Sequence, residues 1–251
     1  IFVGIILVCA CVIPGSFLVL RRMSLMSDAV SHASLLGIVL IFLVVKNLNS
    51  GWLIWGASLV GLATVFVTEW LISTQRLKSD AAVGLVFPIF FSIGIILINQ
   101  LVGDIHFDAD CVLFGEIAYA PFDQVKIFGH NWGPKALWVM GFILLFNLSC
   151  LLLFYKEIKC TTFDPECAHS LGFNPKYIHY GLMTCTSITA VGAFESVGSI
   201  LVVALMIVPP ATALLMVSQL SSMIGLSMIF GTLSVIIGFG LSSLAEKKCS
   251  S

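Results

Sequence analysis

From Ser196 to Ala245 the chain reads SVGSILVVALMIVPPATALLMVSQLSSMIGLSMIFGTLSVIIGFGLSSLA, without one Asp, Glu, Lys or Arg. A helix crosses the hydrocarbon core of a bilayer with about 20 apolar residues, so this stretch holds two crossings. The polar run Ser218-Gln219-Leu220-Ser221-Ser222 is the natural break between them. Working outward, residues 1–20, 47–68, 81–103 and 136–155 are also free of charge. Two further candidates carry ionisable groups: about 24–45, with Asp28 and His32, and about 177–195, ending at Glu195. The reading is an all-α, polytopic transmembrane helical bundle of about eight spans, one domain over residues 1–251.

Composition agrees. The chain is 59% hydrophobic and 10% charged, with a mean hydropathy of +1.09; a soluble domain carries about 25% charged residues. A net charge of −1 leaves no basic surface for a nucleic-acid partner. The eight cysteines form no CxxC pair and read as small apolar side chains, not as disulfides or a zinc knuckle. Residues 1–20 lack the basic start of a signal peptide. Ile1 already lies inside an apolar run, so N-terminal residues are expected to be missing.

Lys and Arg favour the cytoplasmic side of a membrane. With the loop after the first span inside, the inner loops hold Arg21, Arg22, Arg76, Lys78, Lys156, Lys159 and Lys176. The outer segments hold Lys46, Lys126, Lys135, Lys247 and Lys248, and both termini lie outside. Segment 103–135 is the least membrane-like and reads as an outer loop with one short helix. There, His106, Asp108 and Asp110 alternate. A solvated acidic loop is the simpler account of them, against a metal site or a contact for a substrate-binding protein.

Near the start, Val19-Leu20-Arg21-Arg22-Met23-Ser24-Leu25-Met26-Ser27-Asp28-Ala29-Val30-Ser31-His32-Ala33 places a carboxylate and an imidazole four residues apart. On a helix they share one face, with Ser24 one turn earlier. Ionisable groups inside a membrane are expensive and face an interior path or a partner. A carboxylate with an imidazole suits Mn²⁺, Fe²⁺ or Zn²⁺ and not Cu⁺. The pair is an incomplete ligand set, which a second copy or a homologous subunit would complete. The alternative is that Asp28 caps the helix and His32 bonds a neighbouring helix.

This segment resembles the start of the permeases of bacterial ABC-type metal-ion uptake transporters, the manganese/zinc/iron class. Asp80-Ala81-Ala82-Val83-Gly84, Leu113-Phe114-Gly115-Glu116-Ile117 and the run from Val197 to Ala213 resemble further elements of that family. The resemblance implies that Asp28 and His32 lie on the metal pathway. It also implies a bacterial inner-membrane location, a second permease subunit, an extracytoplasmic metal-binding protein and a separate ABC ATPase subunit. The cargo would be a divalent metal, with no permanently bound cofactor. No G-x-x-x-x-G-K-[ST] is present, so nucleotide is not held here in that manner.

The loop from Lys156 to Lys176 contains a short capped helix. Asp164 suits the N-cap, Pro165 the first helical position and Gly172 the position beyond the end; Glu166 suits the first turn. By spacing alone this is a solvated loop helix. The resemblance makes it the cytoplasmic coupling helix that enters a groove of the ATPase, with Phe163 and Leu171 as apolar anchors and Asp164 and Glu166 fixing register.

Glu195 stands between two spans, near Gly192 and Gly198, where a tight turn or broken helix is expected. It reads either as a structural carboxylate or as a gate. The Phe194-Glu195 pair looks more like the manganese/iron branch than the zinc branch. Pro209-Pro210 is expected to kink or end its span. Glu69 reads as interfacial, and His130 and His179 have no ligand spacing. An ion-coupled secondary transporter using Asp28, His32 and Glu195 is the alternative function. A membrane metalloprotease is disfavoured by the absence of H-E-x-x-H.

Overall fold

A computed structural model describes residues 2–46, 52–101, 124–127 and 130–249. Backbone N–H and C=O groups find no water in hydrocarbon and must be satisfied within the segment, which selects helices. The helices are α1 (Phe2–Leu20), α2 (Leu25–Val45), α3 (Trp52–Ser73), α4 (Ser79–Leu101), α5 (Lys135–Phe163), α6 (Pro165–Ser170), α7 (Pro175–Val197), α8 (Ser199–Met216) and α9 (Leu220–Cys249). Between α4 and α5, β1 (Gln124–Ile127) and β2 (His130–Pro134) pair antiparallel, Lys126 opposite Asn131 and Ile127 opposite His130.

Seven of these helices are long and apolar enough to cross a membrane, and the break in the long uncharged run falls between Met216 and Leu220. The eighth expected span is α7, a helix of 23 residues. It is less apolar because Thr184, Thr186 and Thr189 lie on it, each donating its hydroxyl to the carbonyl four residues back. Much of α7 faces other helices: Leu182, Met183, Thr186, Ser187, Thr189, Ala190, Val191 and Ala193 are buried. A helix lined by protein on most sides tolerates hydroxyls that a lipid-facing helix would not.

α1 is the innermost helix, with Leu7 to Leu18 almost continuously buried except at Cys9. It packs against α5, α7, α8 and α9, while α2 packs against α3 and α4 and meets α1's group through α7 and α8. α5 and α9 present large apolar side chains outward, among them Phe142, Leu152, Leu153, Ile237 and Leu241. Such a surface suits lipid, not water. Without a hydrophobic drive between helices in lipid, close packing and polar bridges hold them together. Gly37 shows the first: a Cβ there would collide with the Gly56 carbonyl oxygen on α3. Asn147 shows the second, donating from α5 to Ala10 O at 3.1 Å and to Thr189 Oγ1 at 2.7 Å.

Two expectations are corrected. Within the 103–135 loop the described residues form a β-hairpin, for which Val125 and Ile127 supply a β-branched, alternating pattern; residues 103–123, where the expected short helix could fall, lie outside the described residues. The third span is displaced: α3 starts at Trp52 and runs past Glu69 to Ser73. Glu69 lies near the end of α3, where its carboxylate meets another helix, as described below. Pro209 and Pro210 do not end their span, since α8 continues to Met216 with both rings buried. The expected break near Glu195 is found: Gly198, at φ 80° and ψ 162°, separates α7 from α8 in a conformation open to glycine and strained for other residues.

Candidate metal path and coupling corner

α1 ends in a tight turn, with Arg22 at a positive φ of 57°, and α2 begins at Leu25. Ser24 occupies the cap position without making a side-chain cap bond. Asp28 lies in the first turn, where the unpaired backbone N–H groups favour a negative charge. One turn on, His32 Nε2 is 3.2 Å from Asp28 Oδ1. The side chains are 25% exposed for His32 and 39% for Asp28, so neither is sealed in the core. The His32 ring rests against α4, its centroid 6.0 Å from Phe87 and 5.6 Å from Phe91, edge-on to the latter. An oxygen and a nitrogen donor thus converge on one side of α2 beside two aromatic rings.

Among the described residues, no group of three or more His, Cys, Asp and Glu side chains is placed to hold a metal ion. Asp28 and His32 supply two donors. His106, Asp108, Asp110 and the Leu113–Ile117 element lie outside the described residues, and so does the Glu195 side chain. An apolar cavity of about 290 Å³ opens between α1, α5 and α7, lined by Phe17, Leu151, Phe154 and Tyr177 among others. Neither Asp28 nor His32 borders it, and its walls offer little to a cation.

The α5–α6–α7 corner is built as the spacing predicts. Asp164 leaves helical geometry at φ −145° and ψ 88°, and its Oδ1 accepts from Cys167 N at 2.9 Å. Pro165 opens α6, and Gly172 follows its end at φ 86°. Phe173 N closes the turn on Ala168 O at 3.0 Å. Ala168 is buried, whereas Phe163 is 57% and Leu171 63% exposed, and Asp164, Pro165, Glu166 and His169 are exposed. The corner therefore presents two large apolar side chains at either end of a rigidly capped turn.

Spacing gave no hint of a third feature. Arg21, at the end of α1, reaches His179 Nδ1 on α7 through Nη1 at 2.7 Å. His179 Nε2 meets Glu69 Oε1 on α3 at 2.6 Å. Arginine has donors only, so Nδ1 accepts and the ring proton sits on Nε2, donated to Glu69. Arg21 also donates to Thr161 and Thr162 near the end of α5, at 3.2–3.3 Å. Burial pulls the Arg21 guanidinium below its usual value, and the Glu69 charge opposes that fall. Four segments from distant parts of the chain are tied by one cation and one anion bridged through an imidazole.

The model of the ABC 3 transport family matches residues 1–251. The chain belongs to the ABC 3 transport family. It is a multi-pass membrane protein of the cell membrane. A relative within reach is the zinc transport system membrane protein TroD of Treponema pallidum, 50% identical over 209 residues, 83% of this chain and 57% of that one. The manganese transport system membrane protein MntD of Bacillus subtilis is 42% identical over 236 residues, 94% of this chain and 80% of that one. The chain thus spans a little over half the length of the first relative and four-fifths of the second. Among solved structures, PsaBC from Streptococcus pneumoniae in complex with Fab superposes with a TM-score of 0.77 at 31% identity, covering 96% of this chain and 80% of that chain.

Proposed function

We propose that this ABC 3 family chain is the membrane-spanning permease of an ATP-binding-cassette importer that carries a divalent metal ion into the cytoplasm. The observation that carries the reading is the Asp28–His32 pair, its oxygen and nitrogen 3.2 Å apart and incompletely buried on α2. Hard oxygen and borderline nitrogen donors suit Mn²⁺, Fe²⁺ and Zn²⁺. Two protein ligands make a transient station, not a storage site, and a second permease subunit would supply the rest. Ser24 and Glu195 are assigned to the same pathway as an accessory polar group and a gate. Phe194-Glu195 leans toward manganese or iron, while the printed names of the relatives divide between zinc and manganese.

The segment 156–176 is read as the cytoplasmic coupling loop. Phe163 and Leu171 anchor in a groove of the ATPase, Asp164, Pro165 and Gly172 hold the corner's shape, and Glu166 sets register. The exposure of both apolar anchors on a capped corner supports this. ATP hydrolysis belongs to a separate chain, and an extracytoplasmic binding protein delivers the ion. Uptake of radioactive Mn²⁺ and Zn²⁺ by cells carrying Asp28→Asn or His32→Ala tests the path. Loss of uptake at normal protein level is expected; undiminished uptake rejects the ligands.

A further inference from the structure

We infer that Arg21 is a positioning residue that transmits movement of the ATPase-facing corner to the metal path, with Thr161 and Thr162 as its releasable contact. The inference rests on the coupling-loop and metal-path readings above. α6 packs against α5 and only slightly against α7, whereas α2 packs against α3, α4, α7 and α8; α5 is not among the main neighbours of α2. The Arg21 guanidinium spans that gap with all three of its nitrogens. Nε and Nη2 donate to Thr162 Oγ1 at 3.3 and 3.2 Å, Nη2 donates also to Thr161 Oγ1 at 3.2 Å, and Nη1 donates to His179 Nδ1 at 2.7 Å. A planar fork of fixed donors can serve several acceptors at once, which a lysine ammonium does less well.

The threonines are oriented for this contact. Thr161 Oγ1 gives its proton to the Glu157 and Ile158 carbonyls at 2.9 and 3.2 Å, and Thr162 Oγ1 gives its own to Ile158 at 2.7 Å. Their lone pairs are left for Arg21. The next residue is Phe163, the exposed anchor and the last of α5, so displacement of the corner moves the acceptors themselves. Toward the path, Arg21 belongs to a closed turn. Its N–H donates to Phe17 O at 3.0 Å, Met23 N–H to Leu18 O at 2.9 Å and Met26 N–H to Met23 O at 3.1 Å. Arg22 is left-handed there and Met23 is buried, which leaves little slack before Asp28 in the first turn of α2. The bonds from Arg21 to His179 and from His179 to Glu69 are short, at 2.7 and 2.6 Å, and lead to a carboxylate. The threonine bonds are longer and end on neutral hydroxyls, so they are the weaker set. When the corner moves, α5 parts from Arg21 before α7 or α3 does. Engaged, the guanidinium holds the α1–α2 turn against α5; released, the turn and Asp28 can shift relative to α5.

The test uses the chain with its ATPase in proteoliposomes, supplied with the binding protein loaded with Mn²⁺ or, in parallel, Zn²⁺. Radioactive metal taken up and phosphate released are measured together. Thr161→Val with Thr162→Val removes both hydroxyls and keeps the side-chain shape. Metal moved per ATP hydrolysed is expected to fall about fivefold or more, the lower end of coupling between distant sites, with the ATPase still bound. The ratio is taken per ATP, so a smaller amount of folded protein does not move it. Thr161→Ser with Thr162→Ser returns the acceptors and is expected to recover the ratio. A Val pair with the wild-type ratio, or a Ser pair no better than the Val pair, overturns the role of Arg21. A second measurement follows amide exchange in the complex on adding ATP and vanadate. Residues 163–171 and 21–28 should both respond in the wild type, and only 163–171 in the Val pair; an equal response of 21–28 in the two overturns the inference. If 163–171 does not respond in the wild type, the coupling-loop reading fails, and if the wild type moves neither metal, the importer reading fails; either result takes the inference with it.

Discussion

His179→Ala removes the one group that touches both ends of the Arg21–His179–Glu69 network. The imidazole accepts from Arg21 at 2.7 Å and donates to Glu69 at 2.6 Å. Its loss leaves a guanidinium and a carboxylate facing a gap about the size of the ring. Breaking a buried charge network by deleting one member costs about 3–5 kcal/mol. Two features soften that figure. The His179 and Glu69 side chains keep 17% and 16% exposure, and Arg21 retains its bonds to Thr161 and Thr162. A loss of about 2–3 kcal/mol is expected. For a chain of this size each kcal/mol lowers Tm by about 2–4 °C, so the variant should melt roughly 5–10 °C below wild type. His179→Gln offers a carbonyl oxygen toward Arg21 and an amide N–H toward Glu69, and should recover more than half of the deficit. The assay is thermal unfolding in detergent, followed by fluorescence of the tryptophans. An Ala variant melting within roughly 1 °C of wild type would refute the reasoning, as would a Gln variant no better than Ala.

Three further outcomes are expected. Asp164→Ala removes the cap on α6 and should cost about 1 kcal/mol of local stability, seen as faster amide exchange over residues 165–170 with exchange in α1 unchanged. Gly37→Leu cannot be accommodated beside the Gly56 carbonyl; it should separate α2 from α3 and lower the yield of monodisperse protein on size-exclusion chromatography. Phe163→Ala and Glu166→Lys should each reduce ATPase co-elution without altering Tm, because both side chains are exposed.

Hydropathy located the helices because a segment that crosses lipid needs a long uncharged apolar run, and α1, α4, α5, α8 and α9 each contain one. The capped corner at Asp164 was legible too, since N-cap, Pro and Gly act locally and need no partner. The pairing of Asp28 with His32 follows from helical spacing alone. What sequence could not reveal is long-range. Glu69 and His179 are 110 residues apart, and no periodicity joins them; only the packing of α3 against α7 does. A faint signal existed, since each is an ionisable residue just inside a span and such residues seek one another. The continuation of α8 past Pro209-Pro210 is hidden from the sequence for a related reason. Neighbouring helices can enclose the backbone groups that proline leaves unpaired, and a local rule cannot see neighbours.

The hydroxyl-rich character of α7 bears on how the protein is made. A nascent segment passing one at a time from the translocation machinery into lipid is judged on its own oiliness, and α7, with Lys176 in its first turn and Glu195 near its end, is a poor candidate for solitary release. Its Asn147–Thr189 and His179–Glu69 bonds exist only when α5 and α3 are already in place. Residence of α7 in the bilayer is therefore conditional on helices synthesised before it, so variants that loosen those two contacts should show up first as failed biogenesis and only secondarily as impaired transport.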